Sequence, residues 1–179
     1  MRHASMGNNA TQYCEINILM LHDNKSESLK EPEFYMNLAL EQARIAFHNQ
    51  EVPIGAILVD TGTGSILSKA YNQTITHSDP TAHAEILALR EGCGIKGVQR
   101  IPECDLYVTL EPCPMCAAAI SFARIRHVYF GAEDLKSGGF ISGPCLVNHA
   151  NLHHKPDFTG GILADEATLL LRDFFKARR

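Results

Sequence analysis

The 179-residue sequence has no excess of positive charge; its formal net charge is −4 at pH 7. Binding along nucleic-acid phosphates asks for a basic surface, so any RNA contact falls to a local patch. No apolar run approaches the roughly 20 residues that cross a bilayer as a helix, which argues against a membrane-spanning segment. No N-terminal stretch carries the sections of a secretory leader. The six cysteines therefore read as thiols in a reducing compartment and not as a disulfide framework. Cys113 and Cys116 stand three apart, and Cys14, Cys93, Cys104 and Cys145 are left as free thiols. Internal repeats and low-complexity tracts are also lacking. With 45% hydrophobic residues, the chain reads as one domain large enough to bury a good core.

What is present is concentrated in two short stretches. Leu110 to Ala119, LEPCPMCAAA, places Cys113 and Cys116 three apart, and His83-Ala84-Glu85 supplies a histidine with a carboxylate two residues on. Three borderline ligands with no fourth fit a catalytic zinc that keeps one position open for water, since a structural zinc is closed by four. Pro112 and Pro114 flank Cys113 ahead of an alanine-rich run. Cys113 is thus expected at a helix N-cap with Pro114 just inside the helix, and Cys116 lies one turn on, on the same side. The unpaired N–H groups and positive dipole end there favour thiolate, the form that binds metal. His83 precedes the apolar-periodic Ile86, Leu87 and Leu89, which predicts a second helix start with Asp79 or Thr81 as cap. Residues two apart on a helix point to different sides, so His83 is assigned to zinc and Glu85 to proton transfer. The bland reading makes these a satisfied histidine, two core thiols and a first-turn carboxylate stabilised by the dipole. It leaves their joint spacing unexplained.

Around these stretches the pattern alternates strand and helix. Glu33 to Asn49 is expected as a helix. Ile54 to Val59 and Ser65 to Tyr71 form a hairpin about the Thr61–Gly64 turn. Ala82 to Glu91 is a helix ended by Gly92 and Gly94, and Asp105 to Leu110 is a strand leading into the cysteine helix, about Pro114 to Ala123. That helix is apolar nearly all round, which predicts burial. Arg126 to Phe130 is a further strand, and Asp157 to Arg179 is a closing helix with Leu163, Ala167, Leu170 and Phe174 on one face. The stretch from Cys145 to Pro156 is ambiguous. This succession implies a mixed sheet with helices on its faces and ligands gathered at the carboxyl ends of strands. Residues 1–31 are set apart as an N-terminal extension, a loosely docked tail or an appended remnant. Residues 32–179 form the zinc-dependent domain.

His83-Ala84-Glu85 with Pro112-Cys113-Pro114-Met115-Cys116 resembles the zinc-dependent nucleobase deaminases, whose signature is H-x-E followed by P-C-x-x-C. Glu51 to Ala56, Asp79 to Glu85, Tyr107 to Cys113, Phe130-Gly131-Ala132, Gly161 to Glu166 and Asp173 to Lys176 are similar to the bacterial tRNA adenosine deaminases. The likeness runs from about Glu33 to Arg179. It implies a three-layer α/β/α sandwich on a five-stranded mixed sheet and one zinc per subunit. The activity it implies is hydrolysis of the wobble adenosine of a tRNA anticodon loop to inosine, releasing ammonia. A cytoplasmic homodimer is implied as well. Asn72 and the Ala84 N–H are then substrate contacts, although Asn72 is also a common turn residue. By the same likeness Asp134 and Lys136 approach the RNA backbone, where the alternative is a solvated loop. One of Phe174 and Phe175 is core. An exposed neighbour, Phe175, can stack on a nucleotide with Arg178 on phosphate, or both rings pack and the cations complement the helix end. His77, His127, His149, His153 and His154 are not read as ligands. Two other functions compete. A deaminase of a free base such as guanine or cytosine shares the zinc motif, and a silent RNA-binding subunit should lack the proton-carrying Glu85. The Thr61–Gly64 turn and the Ser137 to Asn151 loop are individual to this sequence.

Overall fold

The computed structural model describes residues 28–178; the expectations for residues 1–27, Cys14 among them, lie outside the described residues. The elements follow as α1 (Pro32–His48), β1 (Gly55–Asp60), β2 (Ile66–Tyr71), α2 (Ala84–Lys96), β3 (Cys104–Leu110), α3 (Pro114–Ala123), β4 (His127–Ala132), a short 3-10 turn (Leu146–Asn148), β5 (Asp157–Thr159) and α4 (Ala164–Lys176). The strands form one sheet in the order β2-β1-β3-β4-β5. β1 runs antiparallel to β2 and to β3, and β3, β4 and β5 are parallel, so the sheet is mixed as expected.

Side chains alternate across a strand, and β1 uses both faces. Ala56 and Leu58 pack with Ala84, Ala88 and Leu89 of α2 and Ala117 and Ile120 of α3. Ile57 and Val59 pack with Tyr35, Met36 and Ala39 of α1 and with Tyr107. Ala167 of α4 joins Leu40 of α1 and Ala132 on that second side. The result is a three-layer sandwich, with α2 and α3 on one face and α1 and α4 on the other. Every residue of β1 is buried, which explains its unbroken apolar run.

The structure corrects the sequence reading in three places. The fifth strand is Asp157–Thr159, inside the stretch expected as helix, and α4 begins only at Ala164. With three residues, all exposed, β5 carries no alternating pattern to read. Gly92 and Gly94 lie within α2, which ends at Gly97 with φ +66, the left-handed value that favours glycine. A Cβ at Gly92 would approach Leu58 Cδ2 to 2.1 Å, so this glycine serves the contact between helix and sheet. The cysteine helix, α3, buries Cys116, Ala117 and Ile120 but leaves Phe122 68% exposed. The cysteines among the described residues are free thiols. No helix among those residues is long and apolar enough to cross a membrane.

Candidate active site

Two helix starts meet above the carboxyl end of the sheet. Cys113 is the N-cap of α3 and Pro114 opens the helix, as the sequence predicts. His83 is itself the N-cap of α2. Neither Asp79 nor Thr81 caps that helix; Asp79 Oδ1 instead accepts the N–H of Thr81 at 2.8 Å and its hydroxyl at 2.7 Å, shaping the turn before it. His83 Nδ1 lies 3.7 Å from Cys113 Sγ and 3.5 Å from Cys116 Sγ, and the three ligand atoms all fall within 4.8 Å of one another. Zinc bonds of ordinary length at a tetrahedral angle put S and N about 3.6 Å apart. The donor set therefore fits a zinc ion in both chemistry and spacing, with the three protein ligands of a catalytic site.

The electrostatics of the group agree. A hydrogen bond from the neighbouring Cys116 thiol, and then His83, hold the Cys113 thiol down at about 4, which favours the thiolate. The same contact, followed by burial, drives Cys116 strongly upward in the absence of a cation; a bound metal reverses that direction. Contact with Cys113 raises the His83 imidazole. Beside them Glu85 is 3% exposed, and burial pushes its carboxyl up to about 7. Its Oε2 has no hydrogen-bond partner. An unpartnered buried oxygen is costly, and here it sits two residues from a metal ligand, with a proton affinity suited to transfer near neutral pH. Ala84, at the first helical position between them, has an N–H without an intrahelical acceptor.

Through His83 the group opens onto a cleft of about 620 Å³, and this end is its floor; the cleft is lined besides by Asn72 and Thr74, by Leu110, by the 133–136 loop and by Leu171 and Phe175 of α4. Asn72, Asp134, Lys136 and Phe175, singled out in sequence, thus share one cleft. Phe174 is core and Phe175 is 49% exposed, which decides between the two rings. Arg178 does not line the cleft: its guanidinium lies 3.5 Å over the Phe174 ring and donates to Gln50 O and Oε1 at 3.1 and 2.8 Å.

Two residues that sequence reasoning passed over shape the rim. Glu51, fully buried, accepts Asn72 Nδ2 at 3.1 Å, the Ile75 N–H at 3.3 Å and the Thr76 N–H at 2.7 Å. Burial pulls its carboxyl upward, but these donors outweigh that and leave it below the ordinary glutamate range. Glu111, 2% exposed, accepts N–H groups from the loop after β4. The available signal was a lone carboxylate beside an apolar strand, Glu51 just before Val52–Val59 and Glu111 just after Leu110. Buried there, each must be bonded.

The family model described as the cytidine and deoxycytidylate deaminase zinc-binding region matches residues 29–132. A protein of Agrobacterium fabrum named tRNA-specific adenosine deaminase is 47% identical, over 84% of this chain and 98% of its own length. One of the same name from Aquifex aeolicus is 43% identical, over 82% of this chain and 95% of its length. A solved structure from studies of A-to-I editing by tRNA:A34 deaminases at the wobble position of transfer RNA superimposes with a TM-score of 0.75. It is 48% identical and covers 77% of this chain and 99% of its own.

Proposed function

The chain belongs to the zinc-binding cytidine and deoxycytidylate deaminase family, and from that premise we propose that it is a hydrolase that converts the wobble adenosine of a tRNA to inosine, with release of ammonia. The observation that carries this reading is the likeness to tRNA-specific adenosine deaminases along nearly their whole length. A cleft of about 620 Å³ suits one extruded purine nucleotide with part of its neighbours.

His83, Cys113 and Cys116 hold the zinc. Bound there, zinc would supply Lewis acidity that makes water easier to deprotonate near neutral pH. Glu85 takes one proton of the attacking water on Oε2 and delivers it to the purine ring nitrogen, then carries the second, from the newly added hydroxyl, to the departing amine. Water adds at the amino-bearing carbon, the C–N bond breaks, and adenine becomes hypoxanthine. Asn72 and the Ala84 N–H hold the base edge, Asp134 and Lys136 meet the RNA backbone, and Phe175 stacks on a nucleotide at the cleft mouth. Arg178, tied to Gln50 and Phe174, reaches phosphate only by giving up those contacts. The protein works as a cytoplasmic homodimer; the exposed Phe122 on the cysteine helix and the thiolate site support this.

The test offers zinc-loaded protein an RNA hairpin with adenosine at the first anticodon position and, in parallel, free adenosine, cytidine and guanine. Inosine in the hairpin alone is expected. Ammonia from a free base with the hairpin untouched would overturn the reading.

A further inference from the structure

Glu111 lies between the last residue of β3 and the Pro112-Cys113 turn, and no step of the proposed reaction uses it. Its carboxylate nonetheless gathers four backbone N–H groups. Oε1 accepts from Phe140 at 3.0 Å, Ile141 at 2.8 Å and Ser142 at 2.9 Å, and Oε2 accepts from Asp134 at 3.1 Å. One buried side chain thus ties down both ends of the segment 134–142. The segment adds its own bonds. Asp134 Oδ1 takes the N–H of Lys136 at 3.1 Å and of Ser137 at 3.0 Å, and Gly139 donates to Pro112 O at 2.8 Å. Gly138 is pressed so close that a Cβ there would lie 2.3 Å from the Glu111 carboxyl carbon.

All of this bonding is internal, and the tip of the segment points outward. Leu135 is 80% exposed, and it lines the cleft with Asp134 and Lys136, as do Leu171 and Phe175 of α4. A loop held this firmly that offers an apolar side chain beside a cation is shaped for a partner with both a ring face and a phosphate. We propose that Glu111 is a positioning residue, which holds the 134–142 segment preshaped so that Asp134, Leu135 and Lys136 receive the nucleotides flanking the edited base. The inference rests on the tRNA reading of the cleft. Preordering lowers the entropic cost of binding, so the effect belongs in KM.

The experiment compares three variants with the parent, each zinc-loaded, by KM and kcat on an anticodon stem-loop, zinc content, and amide hydrogen exchange across 133–142. Glu111→Gln is isosteric but offers one acceptor oxygen where two are used, so one end of the segment must be released. Gly138→Ala pushes on the same contact from the loop side and leaves the carboxylate intact. Leu135→Ser alters only an exposed tip and is safe for folding. Expected are full zinc, kcat within about threefold of the parent, and KM raised about 10-fold or more for the first two and about 3-fold for Leu135→Ser. Faster exchange should appear in the segment for Glu111→Gln and Gly138→Ala alone. KM unchanged in all three, with the parent active on the stem-loop, would overturn the inference and leave the tRNA reading standing. So would a fall in kcat with loss of zinc and no rise in KM, which would make Glu111 a support of the cysteine helix. A parent that deaminates only free bases would bring down the tRNA reading and this inference together.

Discussion

Beside the floor residue His83, Glu85 is 3% exposed with one oxygen unpartnered, while behind the rim residues Asn72 and Asp134, Glu51 and Glu111, 0% and 2% exposed, are bonded through both oxygens. Burial raises the first carboxyl to about 7. In the other two the loop donors outweigh burial and hold the group below its ordinary range. The same side chain thus does two kinds of work. A buried carboxylate left short of partners keeps a proton close at hand, and one saturated with N–H donors gives its loop a shape. On the proposed reading the floor does the chemistry, and the rim chooses and holds the substrate.

The largest expected effect tests the floor. Cys113→Ala should lose the metal and with it all measurable turnover; zinc content by elemental analysis checks this, and an unchanged content would move the site elsewhere. Next in size is a rim substitution. Phe175→Ala should raise KM for the stem-loop by about 5- to 160-fold, the loss of one base stack at roughly 1–3 kcal/mol, with kcat nearly unchanged. An equal fall in kcat would erase the division between floor and rim. The smallest is a stability effect at the rim. Glu51→Gln should cost about 1.5–3 kcal/mol at pH 7, the range for hydrogen bonds to a charged acceptor. The folded carboxyl titrates below its ordinary value of 4.5, so its contribution is complete above that value and is lost as pH falls through the folded value. Denaturant unfolding of parent and variant should differ fully at pH 7 and converge in acid; a difference that persists in acid would assign the effect to packing.

The floor was legible in sequence because its chemistry dictates residue types at tight spacing. His83 and Glu85 stand two apart, and Cys113 and Cys116 stand three apart around Pro114, which marks a helix start. The rim was legible only in part. It is assembled from residues 72–74, 133–136 and 171–175, and its anchors bind backbone N–H groups, which leave no mark on the residues that donate them. Glu111 selects Phe140, Ile141 and Ser142 by position and not by side chain. Resemblance brought Asn72, Asp134 and Lys136 to attention, but which C-terminal ring is buried depended on how α4 docks on α1: Phe174 packs on Phe47 at 5.7 Å between ring centres. The sheet shows the same division. β1 announces itself as an apolar run, whereas β5 is defined only by its bonds to β4.

On this reading the proton and the grip on the substrate come from separate parts of the cleft. The decisive variant is Glu85→Gln, followed by zinc content, stem-loop affinity and the rate of inosine formation on one preparation. Expected are full zinc, affinity within a few-fold of the parent, and a rate reduced by roughly 10²–10⁴ or more, as for loss of a general acid and base. A near-normal rate with full zinc would remove Glu85 from the reaction and erase the division between floor and rim.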